Sequence, residues 1–259
     1  MVPAPLRVNC APPLFGGRSS FDLDFMILPN MRLYLIPLLA LQLAPGWTAL
    51  SAEKGLAPGA AVSRWSIKTS LPDGTDLTKP GILIGLDAFL QLAPAAEDRT
   101  PAFQDKRYPK VAGAPASEGD IVRTQGYVRL VAQENDGDFH IQLTTQPGNF
   151  DDCLVVEVPM ADQQFVANSP SVLTAAKAVR DFVTAKLLAG VTPKPGAVHV
   201  MAGQAYVEVS GQLFFDSEHQ AAMSKGTFRG KSIGGKQLAS KTSWEIHAIT
   251  GMKFVPKPK

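Results

Sequence analysis

Apolar and polar side chains alternate along two segments that flank a tight turn. Residues 121–133 and 138–145 are rich in β-forming residues, and the second segment places three apolar side chains on one face: Phe139, Ile141 and Leu143. Asn135-Asp136-Gly137 lies between the two segments, and Asp-Gly tolerates the positive φ angles of a tight hairpin. The pattern predicts two antiparallel strands, here numbered one and two.

Four further elements follow from the pattern. The apolar run 153–158, closed by a proline, predicts strand three. From Ser171, a good N-cap, apolar residues recur at spacings of three and four, which predicts an amphipathic helix ending at Gly190. Strands four and five are predicted over 206–215 and 243–252, separated by a long loop over 216–242.

The element order predicts the fold class. Three strands, one helix and two strands form the order of the OB fold, a mainly β, five-stranded Greek-key barrel with its helix between strands three and four. We expect this barrel to span residues 119–255, and a different five-stranded α+β arrangement is the alternative. Residues 53–118 are weakly patterned. They predict an irregular lead-in, in which the apolar cluster 81–86 docks one strand on the barrel.

The N-terminal region carries the pattern of a secretory signal peptide. Met31-Arg32 precedes an apolar run over 33–43, and small residues follow it. We expect residues 31–52 to be removed by cleavage after Ser51 or Ala52, which predicts a secreted or periplasmic bacterial protein. The run is too short for a membrane span, and a buried helix is the alternative. Residues 1–30 are expected to be disordered and to reflect a start codon assigned too early.

Composition narrows the class of partner and the cysteine chemistry. The formal net charge is +2, which gives no argument for nucleic acid or for an anionic membrane from charge alone. Of the two cysteines, Cys10 precedes the predicted signal peptide, so the mature chain would hold only Cys153 and no internal disulfide. Cys153 lies in an apolar strand, which favours a small core residue over a nucleophile.

Polar side chains are expected to gather at one end of the barrel. OB barrels bind ligands at the loops that join strands one and two and strands four and five, which lie at the same end. His140 opens strand two, beside the first of these loops, and His247 lies in the first half of strand five. The second loop begins with Asp216. We therefore predict a ligand site that comprises Asp136, Asp138, His140, Asp216, His219 and His247.

The residue types at this end suit more than one chemistry. Imidazole and carboxylate groups together are typical ligands of a divalent metal, for which we name His140, Asp216, His219 and His247. The same groups are able to form a general acid/base pair, or only to anchor loops through hydrogen bonds. If alternation holds, His140 and His247 face outward from the barrel. No His-x-x-x-His spacing is present, so the metal hypothesis depends on the predicted fold.

Nucleic acid is a less favoured partner. The loop over 219–242 holds several cations among glycines and is able to close over a phosphodiester backbone. A solvated surface loop is the commoner case. The chain shows no obvious row of exposed aromatic residues for base stacking, and one predicted face carries carboxylates that repel phosphate: Glu157, Glu208 and Glu245.

Four segments in order carry a resemblance to a known group. They are Asp136-Gly137-Asp138-Phe139-His140, Val155-Val156-Glu157-Val158-Pro159, Gly211-Gln212-Leu213-Phe214-Phe215-Asp216-Ser217-Glu218-His219 and Trp244-Glu245-Ile246-His247. The series resembles that of small secreted bacterial proteins of uncharacterised function, with the motifs D-G-D-[FY]-H, E-[IV]-P, G-x-x-F-F-D-x-x-H and E-[IL]-H-P. The resemblance covers roughly residues 120–252 and implies export and an OB-like barrel, with no reaction attached. The chain departs from it at Ala248, where the group usually has proline, and in a longer loop between strands four and five.

Three functions are consistent with these features, and the sequence does not decide whether the chain is an enzyme. The first is an exported OB-fold binding module whose ligand is unknown. The second is a metal-dependent hydrolase acting on phosphodiesters, similar in fold and compartment to the OB-fold nucleases of the staphylococcal kind. Those enzymes need paired arginines, and Arg123 and Arg129 are nearest in sequence to the predicted site. The third is a purely structural domain.

Overall fold

The structure is a computed structural model that describes residues 64–95, 106–110, 113–150, 153–162, 166, 169–201, 205–224 and 229–258. The predicted signal peptide, the segment before it and Cys10 lie outside the described residues. None of the helices in the described ranges is long and apolar enough to cross a membrane.

The described part of the lead-in segment contains three short elements: helix α1 (Trp65–Thr69), strand β1 (Ile82–Leu83) and helix α2 (Leu86–Leu90). β1 pairs in parallel with the start of the long barrel strand β2 (Ile121–Gln133), which confirms that this segment docks one strand on the barrel. Leu86 is buried in the main core. Gly126 of β2 permits its approach, because a Cβ there would lie 2.9 Å from the Leu86 Cδ2 atom.

Nine further elements follow within the described residues. Their bounds are β3 Phe139–Thr144, β4 Cys153–Val158, α3 Pro170–Phe182 with a π-helical turn over Val183–Leu187, β5 Val198–Val200, β6 Tyr206–Phe215, α4 Ser217–Ser224, β7 Ser232–Ile233, β8 Lys236–Gln237 and β9 Trp244–Phe254. The predicted strands one to five are therefore β2, β3, β4, β6 and β9.

These five strands close into a barrel. β2 pairs with β3, β3 with β4, β4 with β9, β9 with β6, and β6 again with β2. The β4–β9 pair is parallel and the other four pairs are antiparallel. This is the strand order of an OB barrel with its helix between the third and fourth strands, so the predicted fold class is confirmed.

The barrel interior holds the apolar side chains that alternation assigns to it. One core cluster contains Phe139, Ile141, Val207, Val209, Trp244 and Ile246. Helix α3 packs against β9, and its side chains Ala176, Val179 and Val183 join the same cluster. Cys153 is buried in a small separate apolar cluster with Leu130 and Leu238. The core is therefore shared by the five strands, α3 and part of the lead-in.

Three local predictions need correction. The N-cap of α3 is Ser169 and not Ser171, because Pro170 begins the helix, where its missing N–H costs nothing. Residues 216–242 are not one long loop, since they contain α4 and the β7–β8 hairpin. The outward-facing histidines are not solvent-exposed: His140 and His247 are buried. Their side chains point away from the barrel interior, but other segments of the chain cover that outer side.

Candidate functional site

The site forms where the outer faces of three adjacent strands carry polar residues. His140 on β3 lies opposite Glu157 on β4, and Val156 lies opposite Ile246, which brings Glu157 beside His247 on β9. We use the name polar cluster for these residues together with their charged neighbours: Lys68, Asp138, His140, Glu157, Asp216, Arg229, Glu245 and His247. Period-two alternation explains the arrangement, because it places these strand residues on the face opposite the apolar core.

A single carboxylate orients both histidines. The Nδ1 atom of His140 lies 3.0 Å from Glu157 Oε1, and the Nδ1 atom of His247 lies 2.9 Å from Glu157 Oε2. Burial alone would raise the pKa of Glu157, but Lys68 and the hydrogen bonds from the two histidines hold it well below its usual value. Glu157 is therefore ionised and accepts hydrogen bonds from both rings.

Within the described part of the chain, the opposite nitrogens of the two rings have no hydrogen-bond partner. The Nε2 atoms of His140 and His247 are both buried and unpaired among the described residues. His247 Nε2 lies 3.6 Å from Asp138 Oδ2, a separation longer than a hydrogen bond. Buried polar atoms are normally satisfied, so this pair of ring nitrogens calls for an explanation. A ring that donates from Nδ1 to a carboxylate presents Nε2 as a metal ligand in many proteins.

Asp138 is held in place by the hairpin turn that precedes it. Its backbone N–H donates to Asp136 Oδ1 at 3.1 Å, and its Oδ1 atom accepts the backbone N–H of Met160 at 2.7 Å. Gly137 has a φ of 92°, and a Cβ at this position would lie 2.5 Å from the Met160 Sδ atom, so the turn requires glycine. Burial, followed by the charge of Asp136, raises the pKa of Asp138 to about 7.

His247 carries a shifted pKa for a related reason. Burial and the charge of Lys68 act to lower it, but hydrogen bonds to Glu157 and Glu245 outweigh them and raise the pKa of His247 to about 9. The Glu245 Oε1 atom lies 3.2 Å from His247 Nδ1. The raised pKa of His247 reflects the carboxylates that surround it, whereas the raised pKa of Asp138 reflects mainly its burial.

A series of ionic and hydrogen-bonded contacts extends from Glu245 toward solvent. Arg229 forms a buried ion pair with Glu245 and lies 3.5 Å from Asp216. Asp216 precedes α4 and accepts two hydrogen bonds from His219, from its backbone N–H at 3.0 Å and from Nδ1 at 2.5 Å. The His219 side chain is half-exposed. Hydrogen-bonded and ionic contacts thus connect His219 to His140 through the polar cluster.

Of the predicted site residues, Asp138, His140 and His247 lie around Glu157, whereas Asp216 and His219 lie farther from it. Two groups have ligand atoms close enough to hold one metal ion, namely Asp138, Glu157 and His247, and Glu134, His140 and Glu157. Asp216 and His219 belong to neither group; Asp216 lies 3.5 Å from Arg229, which joins the pair to the polar cluster. Asp136 contributes the turn hydrogen bond described above. Of the four metal ligands named from the sequence, His140 and His247 therefore share a neighbour, Glu157.

Several members of the cluster are missing from the sequence-based site. The sequence indicates Glu157 and Glu245 as carboxylates that repel phosphate and as members of the four segments, and it does not include them in the predicted ligand site. Lys68 and Arg229 had no local signal, because they reach the cluster from distant segments. The arginines nearest in sequence lie elsewhere: Arg123 pairs with Glu208 at 3.1 Å, and Arg129 donates to the carbonyl oxygen of Met201 at 3.2 Å.

Each of the four sequence segments described above supplies a residue to this cluster, from Asp138 and His140 in the first to Glu245 and His247 in the last. Comparison with protein-family models, with curated proteins and with solved structures finds no match to this chain.

The hydrogen-bonded pair of Asp216 and His219 is expected to make the stability of the chain depend on pH. Hydrogen bonds from His219 and the charge of Arg229 outweigh burial and keep the pKa of Asp216 below its usual value. The hydrogen bond to Asp216 raises the pKa of His219. Asp216→Asn retains the helix cap and removes the charge, so we expect it to lower the free energy of unfolding by about 2 kcal/mol near pH 5.

This difference from wild type is expected to depend on pH in a bell-shaped manner. The Asp216 contribution is present above the unfolded carboxyl pKa of about 3.9 and is lost as the pH falls through the lower native value. The His219 contribution is present below its unfolded pKa of about 6.5 and is lost as the pH rises through the higher native value. Urea unfolding of wild type and Asp216→Asn from pH 3 to pH 9 measures both changes. A difference in the free energy of unfolding that does not depend on pH would contradict the pairing of Asp216 with His219.

Proposed function

We propose that this chain is an OB-barrel binding module whose site, at the end defined by the strand-connecting loops, holds one divalent transition-metal ion between His247 Nε2 and Asp138. The observation that carries the proposal is the orientation of the two imidazoles. Glu157 accepts a hydrogen bond from Nδ1 of each ring, and the two buried Nε2 atoms have no hydrogen-bond partner in the described ranges; one of them lies 3.6 Å from an Asp138 oxygen. Metal-bound histidines have this same carboxylate support.

The charge of the cluster supports the same ion. Four buried carboxylates, Asp138, Glu157, Asp216 and Glu245, face the permanent cations Lys68 and Arg229. Without an ion, protons on His247 and Asp138, whose pKa values are raised to about 9 and about 7, compensate part of the negative charge. When these protons leave, the four carboxylates exceed Lys68 and Arg229 by two charges. Uncompensated buried charge is costly, and one divalent ion supplies the amount that is missing.

The donor atoms indicate the class of metal. Imidazole nitrogen with carboxylate oxygen suits zinc and its neighbours in the first transition row, whereas calcium and magnesium prefer sites built from oxygen alone. The second group of donors, around His140, is a poorer site because Lys231 lies 2.6 Å from Glu134. Lys68, 3.6 Å from Glu157, adds further positive charge between the two groups. We therefore propose a single ion.

Metal content tests this function directly. The purified chain is stripped with a chelator, dialysed against zinc, and analysed for metal by atomic emission and for thermal stability. We expect one zinc per chain and a higher melting temperature, because an ion that binds only the folded state at a hundred times its Kd adds about 2.7 kcal/mol. Calcium at the same concentration is expected to give no shift. A chain that retains no zinc and shows no shift with zinc would contradict the proposal.

The metal-dependent hydrolase remains a prediction that depends on this ion. It requires a bound metal beside His140, Asp216, His219 and His247, so a negative metal analysis would remove both functions together. The binding module requires only the ion, and we propose it as the function that the described contacts support best.

A further inference from the structure

A second concave site lies on the outer face of β2, β6 and β9, beneath the turn at residues 77–81. It encloses about 360 Å³, which is within the size range of small-molecule sites. Its lining residues do not include any member of the polar cluster. A ligand of this pocket would therefore be recognised independently of the proposed metal ion.

The pocket contains more positive than negative charge. Lys79, Arg123 and Lys253 line it, together with one carboxylate, Glu208. Glu208 is fully engaged: Arg123 Nη1 lies 3.1 Å and Gln125 Nε2 2.8 Å from its Oε2, and Lys253 Nζ lies 3.0 Å from its Oε1. Its charge is thereby compensated within the protein. Lys79 is also paired, since its Nζ atom lies 3.7 Å from Asp76 Oδ2. The lining residues together with Asp76 retain one net positive charge.

Donor groups remain available to a ligand in this pocket. Arg123 donates hydrogen bonds from Nε to the carbonyl oxygen of Gly81 and from Nη1 to Glu208. Among the described residues, its Nη2 atom has no partner. The ammonium group of Lys253 carries three N–H donors, and its side chain is 68% exposed. The hydroxyl-bearing residues Ser210 and Thr250 line the wall between these cations. Guanidinium, ammonium and hydroxyl donors together match the oxygens of a carboxylate or phosphate group.

We propose that this pocket binds a small organic anion, whose carboxylate or phosphate group is held by Arg123 and Lys253. The register of the strands supports a built site. Arg123 lies opposite Ser210, and Glu208 lies opposite Lys253, so the donors come from three hydrogen-bonded strands of the rigid barrel. The turn at 77–81, anchored through the Gly81 carbonyl, closes one side of the pocket.

Titration of simple anions tests the proposal. Inorganic phosphate and malonate are added separately to the full chain, with sodium chloride at equal ionic strength as the reference, and backbone amide shifts are followed by NMR. We expect saturable shifts for residues that line the pocket with at least one of the two anions. Saturable shifts with phosphate but not malonate would indicate a phosphorylated ligand. Saturable shifts with malonate but not phosphate would indicate a carboxylated ligand.

Two variants and one control make the result specific. Lys253→Met, at an exposed position, and Arg123→Gln are each expected to weaken anion binding about tenfold, the equivalent of one charge-assisted hydrogen bond. Lys236→Met, on β8 and outside the pocket, is expected to leave binding unchanged. The proposal is overturned if neither anion saturates, or if Lys253→Met binds the anion as tightly as wild type does.

Discussion

Replacement of His247 by asparagine is expected to lower the affinity of the chain for zinc at least about a hundredfold, the upper end of what loss of a supporting residue costs a metal site. The asparagine amide N–H takes the place of the Nδ1–H that donates to Glu157 and Glu245. The substitution therefore removes Nε2, the proposed ligand, and retains the hydrogen bonds that hold β9 to the cluster. Competition with a zinc-sensitive dye measures the change.

His199→Asn is the matched control for this variant. His199 lies on β5, opposite Val131 of β2, and does not belong to the polar cluster. It is expected to leave zinc affinity unchanged. Asp138→Asn keeps the acceptor for the Met160 N–H and weakens the second proposed ligand, so we expect it to lower affinity as well. Equal affinity in wild type and His247→Asn would show that zinc, if bound, lies elsewhere.

Replacement of Glu118 by glutamine is expected to lower the free energy of unfolding by about 3–5 kcal/mol, the usual cost of breaking a buried ion pair. The Glu118 side chain is fully buried and accepts four hydrogen bonds: from Arg64 Nη1 at 2.8 Å, from Arg64 Nη2 at 2.6 Å, and from the backbone N–H groups of Tyr108 and Phe215 at 2.5 and 2.9 Å. Glutamine has one acceptor oxygen, and its NH₂ group would face donors.

The loss is expected to be large relative to the total stability of a domain, which is typically about 5–15 kcal/mol. Glu118 joins the lead-in to the barrel, because Arg64 precedes α1 and Phe215 ends β6. Glu218→Gln, at an exposed position on α4, is the control and is expected to change stability by less than about 0.5 kcal/mol. Urea unfolding measures both variants. A loss in Glu118→Gln no larger than in the control would mean that this contact does not hold the lead-in.

The strands could be predicted from local pattern because alternation and turn chemistry are encoded within a few residues. The expected ranges 121–133, 153–158 and 206–215 are those of β2, β4 and β6. The apolar side chains of β3 point into the core, as their spacing required. Element order then predicted the closed barrel, since three strands, one helix and two strands form the order of the OB fold.

The covering layer of the site could not be predicted in this way. Lys68 comes from α1, a helix of five residues that is too short to give a periodic signal, and it lies 3.6 Å from Glu157. Arg229 enters from the segment after α4 and pairs with Glu245. Whether a strand face is exposed depends on such distant segments, so alternation alone identified the outer face and could not show that it is buried.

The most direct measurement is an anomalous difference map, collected at the zinc absorption edge, from crystals of the chain grown with zinc. The proposed function predicts a single peak about 2.0–2.2 Å from His247 Nε2 and from an Asp138 carboxylate oxygen. It also predicts that Glu157 still accepts hydrogen bonds from both histidines. A map without a peak beside His247 Nε2, at a zinc concentration that saturates the chain, would contradict the proposed metal site.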